Sequence, residues 1–159
     1  MGNITPKDAD AECNIKSENI NAKLEYRAWL SYQYESDGGN VESQVDIAKI
    51  IPPEKNWLRR DNMSIGTTEK ILVTGATDTI LDELGNLLDT DSYVWTGTSS
   101  AGDATDNNCA SWTNNTNVYL GTIGHPASAE SPGWTNYEVQ DANIRLCNNK
   151  HYIYCFRAF

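Results

Sequence analysis

The chain has 159 residues and a mass of 17.7 kDa, the size of one domain, because two autonomous cores in this length would each be marginal. Apolar residues make up 39% and charged residues 21%, so burial can offset chain entropy and disorder is not the default. Lys and Arg total 12 against 22 Asp and Glu, and the formal charge of −10 argues against nucleic acid or another polyanion as partner.

In chain order, Met1 to Pro6 has neither the charged nor the apolar segment of a signal peptide, and Pro6 stands where a myristoylation signal wants Ser or Thr. Thr5-Pro6-Lys7-Asp8 reads as a helix start, with Thr at the N-cap, Pro at the first helical position and an acid at the third. A helix over 6–17 follows, with Ala9 and Cys13 on its inner face. Tyr26 to Tyr32 is aromatic-rich and roughly alternating, the pattern of a half-buried strand, closed by Gly38-Gly39. Ser43 to Ile51 is expected to be a second short helix with Val45, Ala48 and Ile51 inward, stopped by Pro52-Pro53.

From Trp57 onward short apolar runs alternate with Gly, Asn, Asp, Ser and Thr clusters, as short strands and long loops require. The strand candidates are 70–74, 93–96, 118–120 and 151–156, and 81–88 fits helix or loop. Nine asparagines lie between Asn107 and Asn149. The first 100 residues hold 17 acids and 9 bases, the last 59 only 5 and 3, so the acidity belongs to the front. No apolar run approaches the roughly 20 residues of a bilayer span, so a soluble chain with no membrane insertion is expected.

Motifs for chemistry are few. Ile71 to Thr77 resembles the opening strand and turn of a short-chain dehydrogenase but lacks the later glycines, leaving a plain strand and turn as the reading. Asp8, Asp10 and Glu12 have calcium-loop spacing, yet Cys13 replaces the required Gly, so the helix start is preferred. Asp103, Asp106, Asn107 and Asn108 form an oxygen-rich cluster, read as a solvated loop. There is no GxSxG or HExxH, and the histidines, His125 and His151, suit structural roles. Neither an enzyme nor a cofactor is therefore expected. Four cysteines without a CxxC pair favour disulfides over zinc, with three connectivities open. Trp29, Trp95 and Trp112 read as core, whereas Trp134, in a Pro-Gly-flanked loop, is the candidate surface ring.

Three segments together resemble one family. Asp8 to Cys13 with Arg27-Ala28-Trp29-Leu30-Ser31, then Val94-Trp95-Thr96-Gly97-Thr98 with Gly102, Cys109 and Trp112, then Gly121-Thr122-Ile123-Gly124 with Cys147 and Tyr154-Cys155-Phe156, resemble endostatin, the collagen-derived C-type-lectin-like domain. The likeness is closer to bacterial surface and secreted proteins with an endostatin-like domain of unknown function. It implies a single α+β domain over 1–159 with a C-type-lectin-like fold: two short helices flanking a small mixed antiparallel sheet, with a long irregular loop region. It also implies nested disulfides, Cys13 with Cys155 and Cys109 with Cys147, and hence export by a signal upstream of Met1 to the cell surface or medium. The strand that precedes the first helix in related domains is expected to be trimmed, reduced or supplied by another chain. The Glu-Pro-Asn, Gln-Pro-Asp and Trp-Asn-Asp tripeptides of calcium-dependent sugar binders are missing from the sequence, and its acidity does not suit heparin.

The function these readings imply is non-enzymatic adhesion to a protein or glycan through loops between Cys109 and Cys147. The expected contacts are Trp112, Asn114, Asn115, Asn117, Tyr119, Trp134, Asn136, Tyr137, Asn143, Asn148 and Asn149, a paratope-like mixture of rigid aromatics and adaptable amides. Similar domains serve as the hypervariable proteins of diversity-generating retroelements, whose adenine-directed mutation scatters substitutions over Asn codons. The alternative is a structural or oligomerising tip domain of a surface fibre.

Overall fold

The computed structural model describes residues 5–21, 26–35, 41–46, 54–58, 63–74, 81–82, 84–89, 91–126, 133–137 and 144–157. Helix α1 spans Pro6–Asn21. Its start is a reciprocal cap, in which the Asp8 N–H donates to Thr5 Oγ1 (3.3 Å) while the Thr5 N–H donates to the Asp8 carboxylate (3.1 Å). The Thr5 hydroxyl, which donates to the Asp8 carboxylate (2.6 Å), and then the Thr5 N–H hold the Asp8 pKa below the ordinary carboxylate value. Ala9 and Cys13 are buried, as the helical spacing requires. Asn14 fixes the next strand from the helix side: its amide donates to the Tyr26 carbonyl (2.8 Å) and its side-chain oxygen accepts from the Tyr26 N–H (2.8 Å).

The strand expected over 26–32 is split into β1 (Tyr26–Ala28) and β2 (Tyr32–Glu35). The residues between them explain the break. Ala28 to Ser31 are four consecutive buried residues, incompatible with strand alternation, because the chain passes between two cores. Trp29 belongs to one core and donates its N–H to the Tyr154 carbonyl (2.9 Å); Leu30 enters the other, and Ser31 donates to the Thr96 carbonyl (2.8 Å). The helix expected over 43–51 is replaced at its start by β3 (Val41–Val45), antiparallel to β2. Val-Glu-Ser-Gln-Val has its two β-branched residues, Val41 and Val45, four apart, a spacing that shares one face in a strand as well as in a helix. Ala48, Ile51, Gly38-Gly39 and Pro52-Pro53 lie outside the described residues.

A hairpin of β4 (Asn56–Leu58) and β5 (Ser64–Thr67) leads directly into α2 (Thr68–Thr74). Here the expected strand at 70–74 is a helix: Thr67 Oγ1 accepts from the Lys70 N–H (3.2 Å), Ile71 is buried and Val73 exposed. A short run such as Ile-Leu-Val is the case in which periodicity alone cannot separate strand from helix. The strand-and-turn reading of 71–77 fails with it over 71–74, and 75–77 lie outside the described residues. Within 81–88, a Leu81–Leu87 bridge and an Asp82 carboxylate accepting from the Leu84 and Asn86 N–H groups (both 2.8 Å) make a closed loop rather than a helix.

The central sheet has the order β8-β7-β6-β9, with β6 Val94–Trp95, β7 Leu120–Gly124, β8 Ile144–Leu146 and β9 Tyr152–Ile153. It is mixed: β6 pairs antiparallel to β7 and parallel to β9. The strand expected at 118–120 thus begins only at Leu120, and that expected at 151–156 divides into β9 and β10 (Cys155–Arg157), which pairs with β1. Val94 and Trp95 point to opposite faces and seed the two cores. One core holds Trp29, Trp57, Ile65, Ile71, Val94, Trp134, Tyr154 and Phe156. The other holds Ala9, Cys13, Leu30, Trp95, Trp112, Ile123 and the inner cysteines.

A polar seam joins them. Trp29 Nε1 donates to Thr98 Oγ1 (3.1 Å), Thr98 Oγ1 lies 2.8 Å from Ser31 Oγ, and Trp112 Nε1 donates to the Ser31 carbonyl (3.0 Å). These bonds satisfy buried groups that would otherwise carry a desolvation cost of about 1–3 kcal/mol each. Gly97 is fixed by the same seam. It has φ +59°, and a Cβ there would lie 2.5 Å from the Ser31 carbonyl oxygen and 2.8 Å from the Trp112 ring. The architecture is α+β with few short helices and small antiparallel and mixed sheets, closed by Cys13–Cys155 and Cys109–Cys147. Among the described residues, no helix is long and apolar enough to cross a membrane.

Candidate recognition surface

The inner disulfide anchors an unusual turn. Cys109, Ala110, Ser111 and Trp112 have φ of 54°, 52°, 55° and 65°, one turn of left-handed helix without a glycine. Each such residue costs about 1–2 kcal/mol, so the surroundings must impose the shape. Asn108 holds it from inside, its Oδ1 accepting from the Ser111 N–H (2.9 Å) and its Nδ2 donating to the Thr105 carbonyl (2.9 Å). Ser111 Oγ donates to the Gln33 carbonyl, and Trp112 plugs into the core edge-on to Trp95, 5.9 Å between centroids. Ala110 is exposed, so Ala110→Gly relieves strain without disturbing packing. It is expected to stabilise the fold by about 0.5–1 kcal/mol, the reverse of the usual glycine penalty, read as a raised melting temperature.

Beyond the turn the chain emerges into solvent. Thr113, Asn115, Thr116, Asn117, Val118 and Tyr119 are exposed, and Asn114 is half-buried, its Oδ1 accepting from the Thr116 N–H (2.9 Å) and Oγ1 (2.8 Å). β7 then pairs with β8, Leu120 opposite Leu146 and Thr122 opposite Ile144. The Cys147 N–H donates to the Tyr119 carbonyl (3.0 Å), and Asn148 and Asn149 turn away from the end of β8. Strand pairing and the Cys109–Cys147 bridge thus bring two separate expected segments, 113–119 and 148–149, to one rim.

Three of the expected contacts do not reach that rim, and a fourth falls outside the described residues. Trp112, Trp134 and Asn136 are buried, and Asn143 lies outside the described residues. The correction is largest for Trp134, the candidate surface ring: it is 1% exposed, stacked on Tyr154 at 4.3 Å with parallel planes. Its neighbour Gly124 makes room, since a Cβ there would fall on the Trp134 carbonyl. Pro-Gly flanks mark a turn, but a turn can still carry its side chain inward. Tyr137 is half-buried against His125, 4.7 Å between ring centroids. The expected contacts lie within the same loop region but do not single out its aliphatic residues, Val118, Leu120, Ile144 and Leu146. Ile144 and Leu146, two residues apart on one face of β8, carry the strand spacing that signals this edge in the sequence.

The two histidines meet across one ring. Tyr93 contacts His125 at 5.7 Å and His151 at 5.8 Å, both edge-on, while the Arg145 guanidinium lies 4.9 Å from its centroid. Trp95 covers His151 at 4.7 Å. Burial, and then the Arg145 charge, push the His151 pKa down to about 4. A group whose folded pKa lies below its unfolded value of about 6.5 binds its proton more readily in the unfolded chain. Stability from this residue is therefore full above about pH 6.5 and lost as pH falls towards 4. Thermal melts should show this decline, and His151→Phe should flatten it.

The acidic cluster at 103–108 is occupied internally: the Asp106 carboxylate accepts from Gln33 Nε2 (2.9 Å), the Asn107 carbonyl accepts from the Thr122 N–H (2.7 Å), and Asn108 caps the left-handed turn. Among the described residues, no three His, Cys, Asp or Glu side chains gather as metal ligands.

What the fold and rim define is a small disulfide-stapled α+β domain with uncharged loops carried on a tryptophan-rich frame. The family model described as "Protein of unknown function (DUF1554)" matches residues 1–129, and the chain belongs to that family. No curated protein matches it.

Proposed function

We propose that this is a non-enzymatic, extracellular or cell-surface recognition domain of C-type-lectin-like, endostatin-like type, which binds a protein or glycan through the rim formed by 113–120 and 144–149. The observation that carries the reading is the division of labour around the inner disulfide. Indoles that could have served as platforms are core, while Asn115, Asn117, Tyr119 and Asn148 are exposed on a frame fixed by β7–β8 pairing and Cys109–Cys147. Exposed amides and a tyrosine give adaptable hydrogen bonds and rigid contact area at low entropic cost. Two disulfides favour an oxidising compartment. The exposed asparagines are also where adenine-directed diversification would vary contacts without touching the core.

Labelled protein applied to glycan and extracellular-protein arrays, with and without EDTA, tests the reading. Binding that EDTA does not abolish is the expected result. Silence on both arrays, or binding that requires a divalent metal, would contradict it.

A further inference from the structure

Resting on that reading, we infer that the rim carries an acid-operated latch: the seated His151 ring holds the Asn148–Asn149 turn in place, and protonation of that ring frees the turn and weakens the hold on the partner. The turn is short and pinned at both ends. On one side Cys147 is buried in the inner bridge and donates its N–H to the Tyr119 carbonyl (3.0 Å). On the other, His151 packs edge-on against Trp95 and Tyr93, and the next residue, Tyr152, donates its N–H to the Tyr93 carbonyl (3.1 Å). Asn148, Asn149 and Lys150 lie between, and the Asn149 N–H donates to the Leu146 carbonyl (2.9 Å). Each residue spans at most about 3.6 Å, so three have little slack, and displacement of the ring passes directly to the two rim asparagines.

The seat suits a neutral ring. His151 Nε2 is buried and has no hydrogen-bond partner among the described residues, so a proton there adds a charge and a donor where no acceptor stands. The described groups around it are aromatic or basic. Tyr93 and Trp95 come from the β6 segment, and His125 and Tyr137 lie across Tyr93. From β8 comes Arg145, its guanidinium 4.9 Å from the Tyr93 centroid and donating to the Ile144 carbonyl (2.9 Å). Lys150 and Tyr152 flank His151 in the chain. Burial, then the Arg145 charge, then that of the chain's amino group hold the His151 pKa at about 4. A freed ring titrates near 6.5, so the proton binds more tightly to the freed state. The latch therefore opens about tenfold further for each pH unit below about 6.5, levelling off near pH 4.

Amide hydrogen exchange of the intact domain, followed by NMR from pH 7 to 4.5, tests the latch without a ligand. Corrected for intrinsic exchange rates, the Asn149 and Tyr152 amides should lose protection by at least roughly tenfold, while the Thr122 amide, bonded to the Asn107 carbonyl, keeps its own. His151→Phe, which keeps a ring in the seat without a titrating group, should abolish the response. The proton resonances of the wild-type imidazole give a reading that needs no variant, and His151 should titrate well below 6. Titration near 6.5, equal loss of protection at Thr122, or a full acid response in His151→Phe would overturn the inference. Array binding repeated at pH 4.5 then tests the link to the rim: it should weaken for the wild type and hold for His151→Phe. Binding equally strong at pH 7 and 4.5 would overturn the link while leaving the rim reading standing. Silence of the arrays would contradict the rim reading and leave the exchange result to decide the latch.

Discussion

Removing the outer bridge by Cys13→Ala/Cys155→Ala is expected to cost about 5 kcal/mol and roughly 10–20 °C of melting temperature. The bridge spans 142 residues and ties α1 to β10, so opening it frees nearly the whole chain in the unfolded state. The bridge is also the vulnerable one, because Cys155 is exposed whereas Cys109 and Cys147 are both buried. Graded reduction with differential alkylation should therefore label Cys13 and Cys155 before the inner pair. Simultaneous labelling of all four cysteines would mean that the inner bridge is not shielded as described.

The second large effect is expected at Trp29. Its ring sits edge-on to Trp134 at 5.0 Å and to Phe156 at 5.4 Å, and its N–H enters the seam at Thr98. Trp29→Ala opens a cavity against the Trp134 and Phe156 rings and leaves Thr98 without one of its partners, a loss of about 3–5 kcal/mol. Trp29→Phe keeps most of the ring contact and should lose less. Denaturant unfolding of the two variants separates the contributions, and a Trp29→Ala loss below about 1 kcal/mol would contradict the placement of Trp29 at the centre of this core.

How much of this was legible in the sequence depended on how local the signal was. The cap at Thr5-Asp8 and the inward pair Ala9 and Cys13 are one-turn patterns, and they were readable. Both disulfide pairings followed from the family resemblance rather than from spacing, which leaves three connectivities open. Lys70 to Thr74 misled because an apolar triplet has no period, and the decisive bond comes from Thr67, one residue before α2 begins. The break at Trp29 was hidden for another reason. The chain leaves β10 there and joins Thr96, and such a switch of partners is set by residues more than 60 positions away. For the site, the loop segments were readable from their asparagines and Trp112 from its cysteine-flanked context as core, but the inward direction of the Trp134 side chain was decided by a cavity that only the assembled sheet creates.

The central claim is that recognition belongs to the rim and stability to the tryptophan frame. It is tested most directly by measuring, against an array-identified partner, the affinity of Asn115→Ala/Asn117→Ala/Tyr119→Ala and of a control, Glu54→Ala/Lys55→Ala, exposed before β4. The account predicts a loss of at least roughly tenfold for the rim variant at unchanged melting temperature, and less than about twofold for the control. Equal affinity of the rim variant and wild type would contradict it.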